Sequence, residues 1–275
     1  MGQPIFGADS LLDSDTVTSS ESLKTGFPLA RLSDDRIFTL TIPTSGGSIT
    51  TWDIITDAGV GNTSDADYFM MVGHNLFSQS VDSIVFASSP DNVVYTPIFT
   101  EASIVDDDIV LRTFTKVTAR FFRLRISKAA GGLEDVVAIG QLQWGTRVQL
   151  DAFIQRNFDP QAERIRGRFN RSQTGNIIGA LSTFQERRGA ISLPLVLDSE
   201  LRDTTSPGGF LDFWDNHASL LRPFVFAWNP GSPGSFEKDA MFCVVDAARG
   251  IARPTVVPVA GGRRDLTFQV IGLKE

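Results

Sequence analysis

Apolar and polar positions alternate in short runs through the first half of the chain, and this period of two predicts strands. Ile37, Phe38, Leu40 and Ile42 punctuate Arg36 to Ile42, and a second run, Ile49 to Ile55, carries Trp52. Between them, Thr44-Ser45-Gly46-Gly47-Ser48 reads as a turn, and Asp57 to Asp67 as a polar loop. Tyr68-Phe69-Met70-Met71-Val72 is continuously apolar and short enough for a buried strand, with Gly73-His74-Asn75-Leu76 turning after it. Further strands are expected over Ser83–Ser88, Val93–Phe99, Ile109–Phe114, Ala119–Ile126 and Val136–Trp144. Short strands separated by turn residues at even spacing point to a β-sandwich. Met1 to Ser22 reads as polar and loose.

The pattern changes in the second half. Ala190 to Leu197 reads as a strand. Phe210, Phe213, Trp214, His217 and Leu221 then fall at i, i+3, i+4, i+7 and i+11, one stripe of a helix over about 209–221. Pro223 stops it, and Pro223 to Trp228 returns as a strand. Met241–Asp246 and Leu266–Ile271 complete the series. The fold class is therefore mainly β, in two domains, residues 1–148 and 149–275, the second with one flanking helix.

Length supports two domains, since 275 residues exceed an average one. The halves differ in charge. Residues 1–150 hold 10 Lys/Arg against 18 Asp/Glu, a net of −8; residues 151–275 hold 15 against 14, a net of +1. An acidic first half argues against nucleic-acid recognition there. One cysteine, Cys243, lies in an apolar run and reads as a small buried hydrophobe, so no disulfide framework is expected. Neither a leader nor a membrane anchor is legible.

Candidate chemistry is sparse. Only His74 and His217 are present, the first in a turn and the second on the helix stripe. Asp106-Asp107-Asp108 is the one carboxylate cluster. It reads as a solvated charge run, or as a calcium loop if backbone carbonyls join it. Asp34, Asp35, Asp65 and Asp67 are loop carboxylates. Trp52, Tyr95 and Trp144 are aromatics that stack on sugars if exposed and pack in the core if not. Arg164, Arg166, Arg168 and Arg171 line one face of an extended segment, either solvated or at a contact with another copy. No catalytic motif, cofactor fingerprint or metal-ligand spacing appears, so the expectation is a protein that is not an enzyme and carries no cofactor.

Four stretches carry a resemblance: Tyr68 to Leu76, Ile84 to Ser89, Arg120 to Ile126, and Ile139 to Gly145. In that order they resemble the galactose-binding-like, discoidin-type jelly roll found in virion tail proteins of tailed bacteriophages. The second half, with its strand, helix and aromatic strand, resembles the tail-tube-like β-sandwich of distal tail proteins. The resemblance implies a structural virion protein of the tail tip or baseplate. It would form a homo-oligomeric ring, hexamer or trimer, between the tail tube and the tip or hub proteins. The Arg164–Arg171 face would then sit at the subunit contact. The alternative implied by the same sandwich is a carbohydrate-binding module that recognises a host surface glycan.

Overall fold

The computed structural model describes residues 3–44, 49–102, 104–130, 132–152, 163–171, 173–174, 177–202, 209–228, 239–247, 254–259 and 261–272; of residues 163–169, 171, 177, 178 and 180–186 only the backbone is described. The chain divides into two compact units. Gly7–Arg147 forms one unit. Met1–Phe6 joins Val148–Pro230 and Met241–Lys274 in the other.

The strands in chain order are β1 (Ile5–Gly7), β2 (Thr16–Ser19), β3 (Ser22–Leu23), β4 (Pro43–Thr44), β5 (Thr51–Asp57), β6 (Ser64–His74), β7 (Ser83–Ser89), β8 (Thr96–Glu101), β9 (Val110–Ala119), β10 (Phe121–Ser127) and β11 (Ile139–Gly145). β12 (Arg147–Gln149), β13 (Glu163–Arg171), β14 (Ile177–Leu197), β15 (Phe224–Ala227), β16 (Ala240–Val245), β17 (Thr255–Val259) and β18 (Arg263–Gly272) follow. The protein is mainly β, as its alternation predicts.

In the unit of residues 7–147, a five-stranded antiparallel sheet in the order β2-β5-β10-β7-β8 faces the three-stranded sheet β11-β6-β9. Alternation decides which side chains meet. Trp52 and Ile54 of β5, Ile84 and Phe86 of β7, and Phe122, Leu124 and Ile126 of β10 point inward and are buried. Phe69 and Trp144 from the other sheet meet them: ring centroids lie 5.1 Å apart for Phe69–Phe86 and 5.3 Å for Phe86–Trp144. The indole N–H groups are satisfied inside, Trp52 Nε1 by Ser19 Oγ at 2.9 Å and Trp144 Nε1 by Thr56 Oγ1 at 3.2 Å. Both tryptophans are core residues.

Strand direction sorts the loops of this unit into two ends. Ile139 pairs with His74 at one end and Gly145 with Tyr68 near the other. The chain enters and leaves this unit at the second end, where Tyr68 donates its hydroxyl hydrogen to Asp9 O at 2.8 Å. Residues 34–42, 75–82, 104–109 and 132–138 lie at the first end, away from both connections.

The predicted strand over Arg36 to Ile42 does not form. A short 3-10 helix, Leu29–Ser33, precedes the stretch and a turn occupies it, and only Thr41 reaches a sheet, bridging to Ile139. Local chemistry explains the turn: Asp34 accepts the Arg36 N–H at 3.0 Å and the Thr39 hydroxyl at 2.7 Å, and Asp35 takes a left-handed φ of 63°.

The other unit is built on an eight-stranded sheet, β12-β1-β15-β16-β18-β14-β13, with β17 paired to β18. β1, which the sequence reading left as loose chain, is an interior strand of this sheet. Phe6 is wholly buried, with ring centroids 5.1 Å from Phe226, 5.3 Å from Phe210 and 5.5 Å from Phe213. Besides α1 (Leu11–Ser14) in the 7–147 unit, two α-helices among the described residues accompany this sheet, α2 (Asp198–Arg202) and α3 (Phe210–Asn216). The helix expected over 209–221 is shorter than its stripe. α3 ends at His217, whose φ of −133° leaves the helical region. A 3-10 turn, Ala218–Leu220, follows, and Leu221 closes it at φ 59°, 42% exposed. His217 is buried and its Nε2 lies 2.8 Å from Pro223 O, so it is a satisfied core histidine.

Candidate functional site

The loop-rich end of the 7–147 unit holds a pocket of about 370 Å³ lined by Ile37, Phe38, Gly73, His74, Asp107 and Asp108. Each wall follows from the sequence around it. Gly73, at φ 67°, and Gly140 lie against the carbonyl of Ile37, and neither position has room for a side chain. The two glycines therefore seat the 34–42 loop on β6 and β11, and that loop brings Ile37 and Phe38 to the pocket. Phe38 is 81% exposed.

Asn75 ties the opposite loop down. Its Nδ2 donates to Val136 O at 2.8 Å and its Oδ1 accepts the Ala138 N–H at 2.8 Å. Asp107 fixes the third wall. Its carboxylate accepts the Phe77 N–H at 2.7 Å, the Ser78 N–H at 3.3 Å and the Ser78 hydroxyl. Asp106 caps the Asp108 N–H at 3.2 Å. The Asp108 side chain is exposed and accepts nothing from the described residues. Phe77, 51% exposed, stands beside this carboxylate cluster.

His74 is only 6% exposed. Its Nδ1 accepts the Leu76 N–H at 3.4 Å, which places the ring proton on Nε2. Among the described residues that nitrogen completes no hydrogen bond, although the Asp108 backbone is close enough to favour the proton. Burial pulls the imidazole pKa below its ordinary value, against the opposing pull of Asp107, whose Oδ1 lies 3.9 Å from Nδ1. His74 is therefore neutral near pH 7. The pocket carries carboxylates, a neutral imidazole and an exposed aromatic ring.

A second polar group lies on the outer face of the five-stranded sheet. Arg125 grips Asp53 with two hydrogen bonds of 2.7 and 2.6 Å, and the Arg123 guanidinium stacks 3.7 Å from the Tyr95 ring centroid. Asp53 and Arg125 satisfy one another, and Tyr95 is engaged by Arg123, whose buried Nε makes no hydrogen bond among the described residues. Among the remaining sequence candidates, Asp65 pairs with Lys116 at 2.7 Å, and Asp67 accepts the Arg147 N–H at 2.9 Å. Cys243 is buried. Among the described residues no group of three or more His, Cys, Asp or Glu is placed to hold a metal ion. Arg164, Arg166, Arg168 and Arg171 lie on β13, but the side chains of these four residues fall outside the described residues.

Sequence reasoning had singled out His74 and the aspartates separately. It missed Phe38, which a strand over 36–42 hides, and it missed Phe77. The turn chemistry of Asp34, Asp35 and Thr39 was the signal for the former.

No family model and no curated protein sequence matches the chain. Solved structures similar in fold cover about half of it. Chitosan-binding module 1 of a chitosanase/glucanase from Paenibacillus sp. IK-5 is 17% identical over 50% of this chain and 99% of its own, with a TM-score of 0.40. CBM32-5 from Clostridium perfringens, in complex with GalNAc-β-1,3-galactose, is 12% identical over 50% and 100%, with a TM-score of 0.40. A GH29 fucosidase of Ruminococcus gnavus in complex with fucose is 15% identical, and the match spans 50% of this chain but 26% of the fucosidase, with a TM-score of 0.40.

Proposed function

We propose that the unit of residues 7–147 is a binding module that takes a carbohydrate at the pocket between Phe38 and the Asp107–Asp108 loop, with no catalytic step of its own. The observation that carries the reading is the juxtaposition, in a pocket of about 370 Å³, of an exposed aromatic ring with a carboxylate, that of Asp108, which accepts no hydrogen bond from the described residues. A pyranose has an apolar C–H face and a rim of hydroxyls. The ring of Phe38 suits the face, and carboxylate oxygens accept hydrogen bonds from the rim. The volume lies within the roughly 300–1,000 Å³ of small-ligand sites.

The test is a panel of oligosaccharides against the full chain, read by melting temperature and by titration calorimetry. A ligand that binds only the folded state raises the melting temperature by mass action. Phe38→Ala should abolish the shift while leaving the free protein's stability within about 0.5 kcal/mol, because an 81% exposed ring packs little. A panel with no binder, or a Phe38→Ala variant that binds like the wild type, sinks the reading.

A second reading, assembly of copies through β13, is supported by one observation: β13 ends the sheet order and has a neighbour, β14, on one side alone among the described strands. An edge strand offers its backbone groups to another chain. The tail-ring role implied by the resemblance would use this edge and the Arg164–Arg171 face. Light scattering over a wide concentration range tests it, with Arg166→Glu and Arg168→Glu expected to reduce the assembled mass. A strict monomer that the two variants do not alter removes this reading.

A further inference from the structure

We infer that the Phe38–Asp108 pocket prefers a glycan bearing a free ammonium, a hexosamine without its acetyl group, over neutral or acidic sugars. This rests on the carbohydrate-binding reading and narrows it. The charged side chains that line the pocket are Asp107 and Asp108, and Asp106 adjoins them. Among the described residues no Lys or Arg lines it. Of the basic residues at this end of the unit, Arg112 is held by Glu101, Arg31 donates to Leu40 O at 3.3 Å and Lys24 lies 3.4 Å from Asp135, while Arg36, one residue before the wall, and Lys128 stand outside the lining.

The two lining carboxylates are not equivalent. Asp107 is occupied by Phe77 and Ser78, which fix the loop. Asp108 accepts nothing from the described residues and remains available to a cation. Across the pocket, the exposed face of Phe38 supplies the second element, since an aromatic ring attracts an ammonium through its quadrupole. A third observation points to a bound molecule: His74 lines the pocket, is more than nine-tenths buried, and, although the Asp108 backbone lies near the ring, its Nε2 completes no hydrogen bond among the described residues. An unmade bond at a buried donor is costly, and a ligand hydroxyl oxygen would relieve it. Acetylation of the amine removes the charge that Asp108 and Phe38 both favour. A uronate brings a carboxylate towards three aspartates.

The experiment titrates the full chain with a glucosamine oligosaccharide, its N-acetylated counterpart and a uronate oligomer of equal length. The titrations run at about pH 6, below the ordinary amine range. At about 0.02 M salt the glucosamine oligomer should bind about two- to fivefold tighter than the acetylated one, the span expected of an exposed ion pair. The uronate should bind weakest. At about 1 M salt, where screening extends over about 3 Å, the preference should shrink towards one. Asp108→Asn should bring the same ratio towards one at low salt. The salt series on the unaltered protein gives the answer even if the variant misfolds. Acetylated and free sugars binding alike, or a preference indifferent to salt, overturns this inference and leaves the carbohydrate reading standing. Failure of every sugar overturns both.

Discussion

Gly73 and Gly140 face the same acceptor. A methyl group on Gly73 would lie 2.7 Å from the Ile37 carbonyl oxygen, and one on Gly140 would lie 2.5 Å from it. The two glycines sit on neighbouring strands, β6 and β11, and their shared lack of a side chain lets the 34–42 loop settle over them. The wall of the pocket that carries Phe38 depends on this close approach.

Gly140→Ala should therefore destabilise the 7–147 unit by about 1–3 kcal/mol, the cost of overpacking against backbone that cannot turn away. Gly73→Ala should cost more, because its φ of 67° adds roughly 1 kcal/mol of left-handed strain. Gly61→Ala is the comparison: its φ is 81° but nothing lies within 4 Å, so strain acts alone. Denaturant unfolding of the three variants checks the order. Equal losses at all three positions would remove the steric account.

Stability should fall on mild acidification through His74. Its folded pKa is depressed, chiefly by burial, below the ordinary 6.5. The unfolded chain then takes up a proton near pH 6.5 that the folded chain refuses. Stability is full above pH 6.5, is lost as pH falls below it, and levels once the folded ring protonates. The slope is at most about 1.4 kcal/mol per pH unit. Asp57, held low first by its hydrogen bonds with Arg120, has the same sign of effect but further down, below the ordinary carboxylate value of 3.8. Unfolding free energy from pH 8 to pH 5 should show the His74 slope, and His74→Gln should flatten it.

Asp53 is nearly buried and depends on Arg125, with Arg123 Nη1 3.8 Å away. Arg125→Met should cost about 1–3 kcal/mol, since hydrogen bonds to a charged group are lost. The double variant Asp53→Asn, Arg125→Met should cost less than the sum of the single ones, because the two residues act as a pair. Additive losses in a double-mutant cycle would show that the grip contributes nothing.

Phe6→Ala should destabilise the unit of residues 148–275 by about 3–5 kcal/mol, the cost of emptying an aromatic core site. The 7–147 unit should be affected far less. Hydrogen exchange of the full chain, read peptide by peptide, separates the two. Residues 149–275 expressed without residues 1–6 should fail to show protected amides in β15. Full protection there would mean that β1 is dispensable.

The sequence by itself determined the local periods. The alternations of β5, β7 and β10 fixed which side chains face inward, and the stripe of Phe210, Phe213 and Trp214 set the buried side of α3. These properties follow from backbone geometry, which repeats every two residues in a strand and every 3.6 in a helix. Tertiary structure decided the rest. Ile37 and Ile42 are both buried, yet their segment is a loop, because two glycines distant in sequence make a bed for it. Ile5 and Phe6 are two apolar residues in a polar stretch, too few to announce a strand, and only the aromatic cluster of the other unit makes them one. His217 continues the helical stripe, but the carbonyl of Pro223 captures its ring and the helix stops there. The pocket itself joins residues 37–38, 73–74 and 107–108, and no local pattern relates two loops and a strand end that meet only when the sheets close. Periodicity is written between neighbours; a site is written between elements, and only packing brings those together.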